Sequence, residues 1–159
     1  VRALLDEFGI DAASVVLEVT ESAVMRDSAI ALDMLGRLKE CGVRLAIDDF
    51  GTGYSSLSHL KRMPVDELKI DKSFVMGMAD DSDDATIVRA TIELGHSMGL
   101  SVVAEGVENS RSLRMLEDYR CDMAQGYLIS RPVPAAELTA LLVAHNGMLA
   151  ARSKSKVTP

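Results

Sequence analysis

With 159 residues, 48% hydrophobic and 26% charged, the chain holds enough apolar material for one ordinary core. A net charge of −7 and a pI near 4.9 exclude a nucleic-acid polymer as partner, so a phosphate-bearing ligand would need metal help. No apolar run approaches the roughly 20 residues of a membrane span and no signal peptide opens the chain, so a soluble cytoplasmic protein is expected.

Leu4, Leu5 and Phe8 recur at helical spacing ahead of Gly9, predicting the last turns of a helix that has no cap at its start. Val15 to Thr20 is β-branched and apolar, a strand with Glu18 and Glu21 near its C-terminal end. From Ser28 to Cys41 a helix is expected, with Ile30, Met34, Leu35, Leu38 and Cys41 on its apolar face, Asp27 or Ser28 as cap and Gly42 behind.

Val43 to Ile47 then reads as a short buried strand that stops at Asp48 and Asp49 and runs straight into a glycine-rich turn. Two adjacent ionised carboxylates repel, and the usual relief is a shared cation or a proton on one of them. The competing reading is a solvated strand end followed by an ordinary turn.

Ser55 to Arg62 predicts a short helix stopped by Pro64, and Val65 to Asp71 an alternating strand. The acidic run Asp80 to Asp84 reads as a solvated lead-in to a helix from about Ala85 to Met98 that buries Ile87, Val88, Thr91, Ile92, Gly95 and Met98. Leu100 to Ala104 is a strand, Asn109 caps a helix bearing Leu113, Leu116 and Tyr119, and Cys121 to Gln125 is a weaker strand. Pro132 and Pro134 open a last helix through Leu138, Leu141 and Leu142. Residues 1–150 are expected to form one unit and 151–159 a disordered tail. Cys41 and Cys121 read as buried free thiols of a reducing compartment, and His59, His96 and His145 form no cluster.

Strands alternating with helices argue for a parallel α/β sheet, whose C-terminal edge is where ligands sit. The successive strand ends carry Glu18, Asp48 with Asp49, Lys69, Glu105 and Gln125. Hard carboxylate oxygens suit Mg²⁺ or Mn²⁺, and the chemistry implied is metal-assisted attack of water on a phosphoryl group.

At these residues the chain resembles the EAL-domain family of bacterial cyclic di-GMP phosphodiesterases. The resemblance runs through Glu18-Val19-Thr20-Glu21-Ser22, Asp48-Asp49-Phe50-Gly51-Thr52-Gly53-Tyr54-Ser55-Ser56-Leu57, Leu68-Lys69-Ile70-Asp71, Ala104-Glu105-Gly106-Val107-Glu108 and Gln125-Gly126-Tyr127-Leu128-Ile129-Ser130-Arg131-Pro132. It implies an α/β fold of the (β/α) TIM-barrel type, with about five of eight strands in this chain. It also implies hydrolysis of cyclic di-GMP to linear pGpG with Mg²⁺ or Mn²⁺. Glu18, Asp48 and Asp49 would bind two metals, with Asp48 bridging. Lys69 would hold the attacking water, while Glu105 and Gln125 would act through waters. Glu21 would anchor the loop Phe50, Gly51, Thr52, Gly53, Tyr54, Ser55 and Ser56, which in this family couples the metal site to dimerisation. Glu108 and Tyr127 would lie near the nucleotide.

The sequence departs from the family pattern in lacking the Glu-Ala-Leu segment and the asparagine ligand of the next strand. The expectation is therefore a fragment of a longer product, or a barrel closed by a partner such as a second copy. Weak or partner-dependent activity would follow. The alternative function is a non-catalytic module that binds cyclic di-GMP or a protein.

Overall fold

A computed structural model describes residues 1–26, 28–53 and 57–143. Asp27, Tyr54, Ser55, Ser56 and the tail 151–159 lie outside the described residues, as does the side chain of Ser28, so the expected helix cap is not among them.

The elements run α1 (Arg2–Phe8), β1 (Val16–Thr20), α2 (Glu21–Arg26), α3 (Ser28–Lys39), β2 (Arg44–Phe50), α4 (Leu57–Leu60) and β3 (Glu67–Ile70). They continue with α5 (Lys72–Gly77), α6 (Ser82–Ser97), β4 (Ser101–Ala104), α7 (Ser110–Asp118) and β5 (Met123–Ala124). The five strands form one sheet in the order β1-β2-β3-β4-β5, every pair parallel. Each strand therefore pairs with its sequence neighbour, the arrangement that repeated strand–helix units produce.

Two compact units divide between Ile129 and Ser130, and the sheet belongs wholly to the first. In the second, residues 135–143 are helical, and the Glu137 and Leu138 N–H groups donate to the Pro134 carbonyl. Proline fixes its own φ and lacks a donor, so Pro132 and Pro134 interrupt regular structure there.

Side-chain alternation sorts the sheet into two faces. One carries Leu68, Ile70, Val102 and Ala104, all fully buried, in the same apolar cluster as Val88 and Ile92 of α6 and Leu116 of α7. A smaller cluster joins Leu5, Val24, Leu35, Val43 and Leu45. The other face carries charge: Glu67 and Lys69 of β3 are only 6% and 4% exposed. The alternation expected for β3 separates two faces, yet both are buried, because β3 is the central strand.

Burial follows only part of each apolar stripe. Leu4, Phe8, Ile30 and Met34 keep more than half of their surface exposed, while Leu5 and Leu35 between them are buried. Ile87, expected to be buried, is exposed. The apolar spacing was sufficient to predict α1 and α3 but not which of their residues meet the core. Cys41 and Cys121 are free and only partly buried. Helix α6 starts at Ser82, within the acidic run read as solvated lead-in, because the Asp81 side chain accepts a hydrogen bond from the Asp83 N–H at 2.7 Å. Helix α5 has no counterpart in the sequence reading; Asp71 caps it, accepting from the Ser73 N–H at 2.9 Å. Among the described residues no helix is long and apolar enough to cross a membrane.

Candidate functional site

Adjacent residues of a strand point to opposite faces, so Asp48 and Asp49 could not both serve one site on regular backbone. The pairing of β2 with β3 solves this. Ile47 lies opposite Leu68 and Phe50 opposite Ile70, so two residues of β2, Asp48 and Asp49, stand where β3 offers one. This is a β-bulge, a device that re-aims side chains. Asp49 takes φ +56°, in the left-handed region that aspartate tolerates better than most residues.

Lys69 is the centre of the charged face. Its Nζ lies 2.7 Å from Glu18 Oε1 of β1, 3.1 Å from Asp48 Oδ1 of β2 and 2.6 Å from Glu105 Oε1, just beyond β4. Its side chain is 5% exposed. Burial would lower the ammonium's pKa, but the hydrogen bonds it donates to Glu105 and Glu18 and its close approach to Asp48 outweigh burial and hold the group well above the ordinary lysine value. Lys69 is thus a fixed positive charge and no proton acceptor.

Asp48 Oδ1 is buried and accepts no well-aligned hydrogen bond, although Lys69 stands within ion-pair distance. Asp49 has its carboxyl pKa raised, first by burial and then by the charges of Asp48 and Asp71. Asp71 is held below the usual range, because hydrogen bonds from Ser73 outweigh its burial, and it also shares a hydrogen bond with Asp49. The sequence reading gave Asp71 no part beside Asp49. The signal was present in Asp71-Lys72-Ser73, an aspartate placed to cap a helix at the end of a strand.

Glu21, the first residue of α2, is 4% exposed. Its Oε2 accepts from the Gly51 N–H at 3.0 Å, and a Cβ at Gly53 would come within 2.6 Å of its Oε1. The loop therefore lies directly on this carboxylate. Thr52 closes it further, its hydroxyl donating to the Asp49 carbonyl at 2.9 Å.

Gln125 is held through its backbone. Its N–H donates to the Ala104 carbonyl at 2.8 Å and its carbonyl accepts from the Val107 N–H at 3.0 Å. A Cβ at Gly126 would fall 2.3 Å from the Val107 backbone, so only glycine lets the two segments approach this closely. The side chains of Gln125, Glu108 and Tyr127 are exposed, and none is among the groups gathered at Lys69.

The structure thus brings Glu18, Asp48, Lys69 and Glu105 together, sets Asp49 beside Asp71, and puts Glu21 under the loop. Among the described residues no three His, Cys, Asp or Glu side chains are grouped so as to hold a metal ion by themselves. In kind the donors fit a hard divalent ion: they are carboxylates, and one buried oxygen lacks a hydrogen bond. Their spacing is that of carboxylates around an ammonium.

The sequence profile of the EAL domain matches residues 1–132. MucR of Pseudomonas aeruginosa, a bifunctional diguanylate cyclase/cyclic di-GMP phosphodiesterase, is 48% identical over 140 residues, covering 88% of this chain and 20% of MucR. The EAL domain of Mycobacterium smegmatis DcpA superposes with a TM-score of 0.83 at 47% identity, covering 90% of this chain and 64% of that one. The manganese/cyclic di-GMP complex of Klebsiella pneumoniae BlrP1 superposes with a TM-score of 0.77 at 35% identity, covering 82% of this chain and 33% of that one. The chain spans about a fifth of the length of the curated relatives it matches. On this match, and on a five-stranded parallel α/β sheet like that of its solved relatives, the chain belongs to the EAL domain family.

Proposed function

We propose that this chain carries the hydrolytic rim of a cyclic di-GMP phosphodiesterase, which opens the cyclic dinucleotide to linear pGpG with Mg²⁺ or Mn²⁺. The observation that supports this most is the gathering of carboxylates from three separate strand ends on one buried ammonium. A structural ion pair needs one acid; here there are three. The surplus of negative charge at the C-terminal ends of parallel strands suits a site that takes up cations and a phosphodiester together.

In this reading Glu18, Asp48 and Asp49 hold the divalent ions. Held there, divalent ions would supply charge neutralisation at the phosphodiester and a more acidic attacking water. The part of Lys69 is to hold the attacking water and to offset charge on the phosphate. Glu105 and Gln125 orient water, and the backbone locks on Gln125 keep it beside Glu105. Glu108 and Tyr127 flank the nucleotide. Water's oxygen forms the new P–O bond, the bond to the ribose oxygen breaks, and the proton lost by water balances the one the leaving oxygen takes up. Glu21 supports the loop from Phe50 to Ser56, through which the site is coupled to a second copy of the chain.

The reaction is placed in the cytoplasm. The rest of the barrel comes from further sequence of the same domain or from a partner chain. The expected domain span of residues 1–150 is kept as part of this reading.

A second reading, a module that binds the dinucleotide without cleaving it, is favoured by the ammonium standing where the three acids meet. One experiment separates the two: incubation of the chain and of its Asp48→Ala variant with cyclic di-GMP and Mn²⁺. Formation of pGpG that disappears in the variant supports the enzyme. Binding with no turnover in either supports the module, and a lack of both rejects the ligand.

A further inference from the structure

We propose that Lys69 is a resident counter-cation that competes with a divalent metal for the same carboxylates, and so sets how tightly this rim takes the metal up. The inference rests on the metal-dependent reading above. It begins with distance. The oxygens of Glu18, Asp48 and Glu105 stand 2.6–3.1 Å from Nζ, all within ion-pair distance. A Mg²⁺ ion would require oxygens at about 2.0–2.1 Å. Seated between those oxygens, the ammonium neutralises part of the negative charge that attracts an ion and repels a second cation brought up to the same carboxylates.

Charge points the same way. One ammonium against three carboxylates leaves an excess of negative charge, while Arg44 and Lys39 are paired one to one at the other end of β3, with Glu67 at 3.2 Å and Asp66 at 2.8 Å. The rim is therefore partly neutralised and still attractive to a divalent ion. Asp48 Oδ1, buried and without an aligned hydrogen bond, is the oxygen that the ammonium serves least well.

The alternative role for Lys69 is to gather ligands that would otherwise scatter. The sheet already performs that task. Thr20 pairs with Asp48 and Ile70 with Ala104, so the backbones carrying Glu18, Asp48 and Glu105 are held by strand register whether or not an ammonium lies between them. Removing the positive charge then leaves the ligands in place and removes a repulsion to the incoming ion.

The test measures Mn²⁺ binding by the full chain with no substrate present, comparing the wild type with Lys69→Met and Lys69→Arg. The expected result is a Kd for Lys69→Met lower by about tenfold or more, with a lower metal-free Tm and a larger rise in Tm on adding Mn²⁺. Lys69→Arg, which keeps the charge, is expected to bind as the wild type does. Lys69→Gln, which retains a donor for one carboxylate, serves in the same comparison should the methionine variant fail to fold. Mn²⁺ binding that is seen in the wild type and is equal or weaker in Lys69→Met and Lys69→Gln overturns the competition. Absence of binding in every form rejects the metal-dependent reading itself, and the inference falls with it.

Discussion

The two ends of strand β3 use the same kinds of residue to opposite effect. At its N-terminal end Glu67 meets Arg44 one to one at 3.2 Å, and the neighbouring Asp66 takes both carboxylate oxygens to Lys39 at 2.8 Å while also accepting the Leu45 N–H. Two residues after Glu67, Lys69 is shared by three carboxylates, and one buried oxygen among them goes without an aligned hydrogen bond. Balanced pairs mark the end that holds the sheet together. Unbalanced charge marks the end available for chemistry, because a protein keeps such an imbalance only at a cost in stability.

The structural device recurs. Asp122, just before β5, accepts the Val102 N–H at 2.8 Å and meets His96 of α6 at 2.9 Å, as Asp66, just before β3, accepts the Leu45 N–H and meets Lys39 of α3. In both cases an aspartate caps the start of the neighbouring strand and ties it to the end of the preceding helix.

Substitutions can break this contrast. The largest effect is expected at Asp48→Asn, which should lower the rate of pGpG formation by about a thousandfold while changing urea-measured stability by less than about 1 kcal/mol. Next comes Gly126→Ala, whose Cβ would overlap the Val107 backbone at 2.3 Å and should cost about 3 kcal/mol in equilibrium unfolding. Asp66→Ala inverts the pattern of Asp48→Asn. It strands Lys39 and the Leu45 N–H, costing about 2 kcal/mol in denaturant unfolding, yet leaves turnover per folded molecule within about twofold.

The smallest effect sharpens the contrast through pH. At Asp66, burial is outweighed by hydrogen bonds from Lys39 and the Leu45 N–H; at Asp122, it is outweighed by the Val102 N–H and His96. Both carboxyl groups are held below their unfolded value of about 3.9. A group depressed on folding contributes stability that is present above the unfolded pKa and is lost as the pH falls through the folded one. Urea stability of the wild type should therefore fall on acidification below about pH 4, and fall less steeply in the double variant Asp66→Asn, Asp122→Asn.

Much of this was legible in the sequence. The strands were readable from β-branched apolar runs, and Asn109 was recognisable as the cap of α7, where its side chain accepts the Ser112 N–H at 2.8 Å. The polar strand ends could be placed on one edge because parallel strands share a direction. Less visible was anything that depends on register. The bulge at Asp48 and Asp49 exists only in the pairing of β2 with β3, so the sequence could pair these acids but not show that Asp49 turns toward Asp71. The burial of Lys69 follows from β3 being the central strand, a property of sheet order rather than of local composition. The exposure of Leu4, Phe8, Ile30 and Met34 was equally hidden, since helical periodicity marks a stripe without naming what covers it.

The central claim is that the surplus carboxylates around Lys69 form the site that takes up a cation, whereas the paired ones at the opposite end do not. Diffraction at the manganese edge from Mn²⁺-loaded crystals of the chain tests it most directly. The account predicts an anomalous peak in contact with Asp48 and with Glu18 or Asp49. A peak at Asp66 or Asp122, or none touching Asp48 at saturating Mn²⁺, would contradict it.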